Sequence, residues 1–125
     1  MEKKVLYIED NPENMMLVRR VLQSRNYTLL EAVNGLDGLS IAESHSVDLI
    51  LLDINLPDID GYEVARRLRS SGNKLVDVPI IAITANALKG DAEKAISAGC
   101  DLYISKPINI FELLDKVELF IPSVQ

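Results

Sequence analysis

The sequence predicts an α/β protein built on a doubly wound, five-stranded parallel sheet with helices on both faces. Three observations point there. Apolar runs of strand length alternate with segments of helical period along the whole chain. The third and fourth runs are apolar almost throughout, as interior parallel strands are. Carboxylates stand directly behind two of the runs, where parallel strands would share one edge.

The elements follow in order. Strands are expected near residues 4–8, 27–33, 48–53, 78–84 and 101–105, the second ("YTLLEAV") mixed enough to be an edge. Pro12 suits the first turn of a helix whose apolar face is Leu17, Val18, Val21 and Leu22. The second helix starts after Asn34-Gly35 and carries Leu36, Leu39 and Ala42. Asp60 is a good N-cap for the third, with Val64, Ala65 and Leu68 facing inward. Leu88, Ala92, Ala95 and Ile96 make a fourth, stopped by Gly99. Ile110, Leu113, Leu114, Val117 and Ile121 make the fifth, ended by Pro122. The longest loop candidate is 70–77. Only "PSVQ" follows, so one domain over 1–125, with a core of about 3–121, is expected.

Composition narrows the function classes. At 125 residues, 48% hydrophobic and 26% charged, the chain has the make-up of a soluble globular domain. Its net charge of −6 argues against direct nucleic-acid binding and against anionic membrane surfaces. No apolar run approaches the roughly 18 residues of a membrane span, and "MEKKVLYIED" lacks the long apolar core of a secretory signal. The single cysteine, Cys100, is expected to be a small buried hydrophobe and suits a reducing cytoplasm.

Because parallel strands end on one edge, separated residues become a constellation. Strand one delivers Glu9 and Asp10, strand three Asp53 with Asn55 just beyond, strand four Thr84 and strand five Lys106 after Ser105. Clustered carboxylates repel: one pair about 4 Å apart costs roughly 4 kcal/mol at an effective dielectric near 20. A hard divalent cation with oxygen ligands, Mg²⁺, together with the Lys106 ammonium, is the natural source of neutralisation. A carboxylate in that setting can attack a phosphoryl group and form an acyl phosphate.

Four ordered motifs, "YIEDNP", "LILLDINLPDIDGYE", "IIAITANA" and "YISKPI", each end a strand, and with them the chain resembles the receiver domain of two-component response regulators from about residue 3 to 121. The resemblance implies a flavodoxin-like fold with strand order 2-1-3-4-5. It implies that Asp53 accepts phosphate from a histidine kinase or histidine phosphotransfer protein. Mg²⁺ would be held by Asp10, Asp53 and the Asn55 carbonyl, with Glu9 helping, and Lys106, followed by a cis bond to Pro107, would contact the phosphate. Thr84 and Tyr103 would form a switch pair, with output through helix four, strand five and helix five to a downstream protein target. A stand-alone regulator, similar to chemotaxis or cell-division-control receivers, is the leading form; "MEKK" looks like a natural start. A receiver cut from a hybrid sensor kinase is the alternative, because "AITANALKGDAEKAISAGCDLYISKPI" also resembles that type. The expected chain is no classical enzyme: it catalyses only its own phosphorylation and dephosphorylation.

Blander readings compete at each position. Asp53 alone could be an ordinary loop or cap residue; joined to Glu9, Asp10, Thr84 and Lys106 it is not. "DINLPDIDG" superficially suggests a calcium loop. Placing Asp58, Asp60 and Gly61 at loop positions 3, 5 and 6 puts Leu56 first and Arg67 last, and both ends fail as ligands. Turn and cap duty suits Asp58 and Asp60 better. His45 is expected at the surface, with no role as phosphate donor. Asn14, Met15 and Val18 flank the edge where a phosphodonor would dock, although core packing is expected for at least one of Met15 and Met16. Asn86 lies near the path of attacking water. A Mg²⁺-dependent phosphohydrolase or phosphotransferase with an aspartyl phosphate is the rival class. It would need a second acid where Asn55 stands, and a substrate-covering insertion.

Overall fold

Strand β1 (Lys3–Ile8) is followed by α1 (Pro12–Ser24), β2 (Tyr27–Ala32), α2 (Gly35–Ser44), β3 (Leu49–Asp53), α3 (Gly61–Arg69), β4 (Ile80–Thr84), α4 (Asp91–Ala98), β5 (Leu102–Ser105) and α5 (Ile110–Phe120). These elements come from a computed structural model that describes residues 2–72 and 74–123, the side chains of Lys74 and Leu88 excepted. All strands are parallel and run in the order β2-β1-β3-β4-β5. The chain therefore winds one way from β1 to β2 and the other way from β1 through β3, which opens a crevice beyond the ends of β1 and β3. The mixed strand β2 is an edge, as its polar positions predict.

Period-two alternation sorts the core into two layers. Leu6, Ile8, Ile50, Leu52, Ile80 and Ala82 pack against Ala42, Val64, Leu68 and Ala95 of α2, α3 and α4. Val5, Tyr7, Leu49, Leu51, Ile81 and Ile83 pack against Val18 and Leu22 of α1 and Leu113 and Val117 of α5. Strands β3 and β4 are buried along their whole length, which explains their unbroken apolar runs. Cys100 is buried in the first layer.

Helix starts are chemically specified. Pro12 lies in the first turn of α1, where its missing N–H costs nothing, and Asn11 accepts from the Asn14 N–H. Asn34, Asp60 and Asn109 cap α2, α3 and α5 in the same way. Helix α4 differs from expectation. Residues Ala87–Lys89 form a separate short 3-10 turn, and Gly90, at φ 89°, breaks the chain before Asp91 starts the helix. Leu88 belongs to the apolar pattern expected for this helix, but its side chain lies outside the described residues. Three apolar side chains that belong to the helices' apolar patterns are exposed: Leu17, Leu36 and Ile96. Each sits at the margin of its helix's apolar stripe, and the adjoining buried positions (Val18, Gly38, Ala95) make the contact instead. The 70–77 loop contains a 3-10 turn, Lys74–Val76.

Candidate functional site

The parallel register brings the strand ends level: Ile8 lies beside Leu52, Asp53 beside Ile83, and Thr84 beside Ser105. Glu9, Asp10 and Asp53 consequently meet, each offering a carboxylate oxygen within 4.8 Å of the others'. Glu9 and Asp53 are buried, whereas Asp10 is exposed at the mouth. The Lys106 ammonium reaches in from the end of β5, 3.1 Å from Asp53 Oδ1 and 3.8 Å from Glu9 Oε1. Its backbone N–H donates to the Thr84 carbonyl at 2.8 Å, which fixes the root of the side chain, and the bond from Lys106 to Pro107 is cis.

Asp53 is held by more than its strand. The Asn55 N–H donates to its Oδ1 at 3.1 Å, and the Ile54 N–H to the Ile83 carbonyl. Gly61 packs against the strand end so tightly that a Cβ there would fall 2.7 Å from both the Asp53 carbonyl oxygen and Ile54 Cα. Asp58, in the loop after Asp53, accepts from the Gly35 and Leu36 N–H groups at 2.8 Å each and so caps α2. Asp58 is exposed, and the slight desolvation by its surroundings, which raises its pKa, is outweighed by the Leu36 and Gly35 N–H groups, leaving it below the usual carboxylate range. Turn and cap duty is what Asp58 and Asp60 perform.

Glu9 has partners that sequence alone did not reveal. The buried Tyr7 hydroxyl donates to its Oε1 at 2.9 Å, Asn14 Nδ2 donates to the same oxygen at 3.3 Å, and the Asn11 N–H donates to Oε2 at 3.2 Å. The one polar tip in the fully buried half of β1 (Val5–Ile8), two residues before Glu9 and hence on its face, was the available signal for Tyr7. Burial, then the neighbouring Asp53 carboxyl, pushes the Glu9 pKa up; Lys106 and the Asn11 N–H oppose this. Burial and Glu9 likewise raise the Tyr7 phenol. An all-oxygen set with more acids than cations fits a hard divalent ion; Glu9, Asp10 and Asp53 are the residues that could hold it.

The remaining residues stand further out. Thr84 is buried at the end of β4, but its hydroxyl donates to Asp91 at the start of α4. Tyr103 is 41% exposed and lines a groove of about 360 Å³ with Ala92, Glu93, Ile96 and Ser97. Asn86 borders a hollow of about 280 Å³ beside Lys106. Met15 is buried, Met16 is exposed, and both line a cleft of about 280 Å³ that opens beside Glu9 and Asp10. His45 is the exposed C-cap of α2.

Comparison with known proteins agrees with this geometry. Residues 5–118 match the response regulator receiver domain, and the chain belongs to that family. It is a receiver domain of two-component signalling. It is 40% identical over 121 residues to the polar-differentiation response regulator DivK of Brucella anthropi, covering 97% of this chain and 98% of that protein. The receiver domain of the sensor histidine kinase PA1611 of Pseudomonas aeruginosa PAO1 superposes with a TM-score of 0.90 at 36% identity, covering 98% of this chain and 100% of that one. That structure has a magnesium ion coordinated in its active-site cleft. The receiver domain of Saccharomyces cerevisiae Ssk1, solved with the histidine phosphotransfer protein Ypd1, covers 95% of this chain with a TM-score of 0.87 at 29% identity, and 88% of that chain is matched.

Proposed function

We propose that this chain is a phosphorylation-controlled switch whose phosphoacceptor is Asp53. The observation that carries the reading is the buried Asp53 carboxylate, fixed by the Asn55 N–H and facing the Lys106 ammonium at 3.1 Å. An Asp53 oxygen forms the new bond to phosphorus as the donor's bond to phosphorus breaks, and the leaving group departs with its electron pair and takes up a proton. Lys106 supports the charge on the phosphoryl oxygens, while the walls of the site limit water. Mg²⁺, held by Glu9, Asp10, Asp53 and the Asn55 carbonyl, would supply further positive charge for the same oxygens. The donor is a histidine kinase or histidine phosphotransfer protein; the cleft beside Met15 and Met16 adjoins the acids it must approach.

Phosphorylation then draws Thr84 toward the phosphoryl group and turns Tyr103 inward behind it, altering the groove formed by α4 and β5 for a downstream protein. The unit is residues 1–125, acting in the cytoplasm through protein partners rather than nucleic acid. Among the described residues no helix is long and apolar enough to cross a membrane. The rival hydrolase reading is not favoured, because Asn55 stands where a second acid is needed. The test is incubation with acetyl phosphate and Mg²⁺, read by intact mass. One phosphoryl group per chain, absent in Asp53→Asn, is expected. Multiple turnover of unrelated phosphate esters would sink the proposal.

A further inference from the structure

The Thr84 hydroxyl has a single proton, and in this state it is committed away from Asp53. Oγ1 donates to Asp91 Oδ2 at 3.1 Å and accepts from the Asn86 N–H at 3.2 Å, so both of its roles are filled. Thr84 is fully buried, so the donor end of the bond is out of reach of water, while the bond as a whole is part-buried. Asp91 is the first residue of α4, half-buried, and its carbonyl accepts from the Tyr62 hydroxyl of α3 at 3.4 Å. The N-cap position of α4 is Gly90, which has no side chain to serve the free N–H groups of the first turn. An acid in that turn would ordinarily be spent on the helix start; here its Oδ2 holds a strand residue.

We infer that Asp91 is a positioning residue that holds the Thr84 proton off the phosphoacceptor edge, so that a phosphoryl group on Asp53 and the start of α4 compete for one hydroxyl. The inference rests on Asp53 being the phosphoacceptor. Both competitors are anions, so the exchange trades one charge-assisted hydrogen bond for another, and the two arrangements lie close in free energy. When Thr84 turns toward Asp53, the Asp91 carboxylate loses its donor and becomes available to the uncapped N–H groups of α4. Tyr62 couples the same residue to α3. The first turn of α4 thereby reads the state of Asp53 without touching it.

The test uses the full chain with Mg²⁺ and beryllofluoride, and compares wild type, Asp91→Ala, Asp91→Asn and Asp91→Ala in a Thr84→Ala background. The Thr84 χ1 distribution, read by NMR scalar couplings, reports the latch before any beryllofluoride is added. Asp91→Ala should spread Thr84 over rotamers without ligand and tighten beryllofluoride binding about three- to ten-fold, the range of one net hydrogen bond. Asp91→Asn keeps an acceptor oxygen and should stay within about two-fold of wild type. The tightening should vanish in the Thr84→Ala background. An unchanged Thr84 rotamer in Asp91→Ala, with normal binding by wild type, overturns the latch and leaves the phosphoacceptor reading standing. Equal tightening in Asp91→Asn also overturns it. Absence of binding by wild type overturns both. In wild type alone, Thr84 must change rotamer on binding; a fixed rotamer contradicts the inference even if no variant folds.

Discussion

Asp53 is buried beside Glu9 because the sheet leaves it no other place, and the cost of gathering acids there has a measurable sign. Three carboxylates face one ammonium, and no cation other than Lys106 is within ion-pair reach of Glu9 or Asp53 among the described residues. Replacing Asp10 by Asn removes one repelling charge at the exposed mouth. The expected outcome is a melting temperature a few degrees higher without Mg²⁺, and loss of most of the rise that Mg²⁺ gives wild type. Calorimetry with and without Mg²⁺ checks both; a lower melting temperature without metal would contradict the repulsion. The acids, Thr84 and Lys106 were legible in the sequence because the strand-end rule needs only residue type and position. The hold of Tyr7 on Glu9 and of Asp91 on Thr84 was not, because a rotamer is chosen by neighbours that only the tertiary structure brings together.

At the scale of elements, the loop carrying Asp53 is tied to its neighbours at defined points. Asp58→Ala removes two acceptors from the start of α2 and should cost about 1 kcal/mol in denaturant unfolding, as a lost helix cap does. Its folded pKa lies below the unfolded value, so its contribution is present above the ordinary Asp range. It disappears as pH falls through the lowered value; the wild-type and Asp58→Ala stabilities should therefore converge in acid. Gly61→Ala would press a methyl against the Asp53 carbonyl oxygen and Ile54 Cα, and a loss of about 1–3 kcal/mol is expected from overpacking against backbone. Unchanged stability would show that α3 can shift freely away from β3. Arg69 ties the far end of α3 to the Gly99, Leu75, Val76 and Val78 carbonyls and to Asp101. Arg69→Ala should cost roughly 2–3 kcal/mol, measured the same way. Helix existence and order were legible from period and caps. The exposure of Leu17, Leu36 and Ile96, and the late start of α4 after Gly90, were not, since a stripe's margins and a glycine's φ depend on what packs alongside.

The whole molecule is one parallel sheet between two helical layers, with a core on each face, whose chemistry occupies one rim and whose α4–β5 groove lies beside it. Strand order, the edge position of β2 and the two cores follow from alternation and burial, and the sheet carries the site with it. What unites rim and groove is the short path from Asp53 through β4 to Thr84, Asp91 and the residues lining the groove with Tyr103. The most direct measurement is the backbone and side-chain NMR spectrum with Mg²⁺ before and after beryllofluoride, in wild type and in Asp53→Asn. Shifts running from Asp53 to Thr84, Asp91 and Tyr103 in wild type, and absent in Asp53→Asn, are predicted. Shifts that persist in Asp53→Asn, or that stop at Asp53 and leave Thr84 and Tyr103 unmoved, would contradict the account.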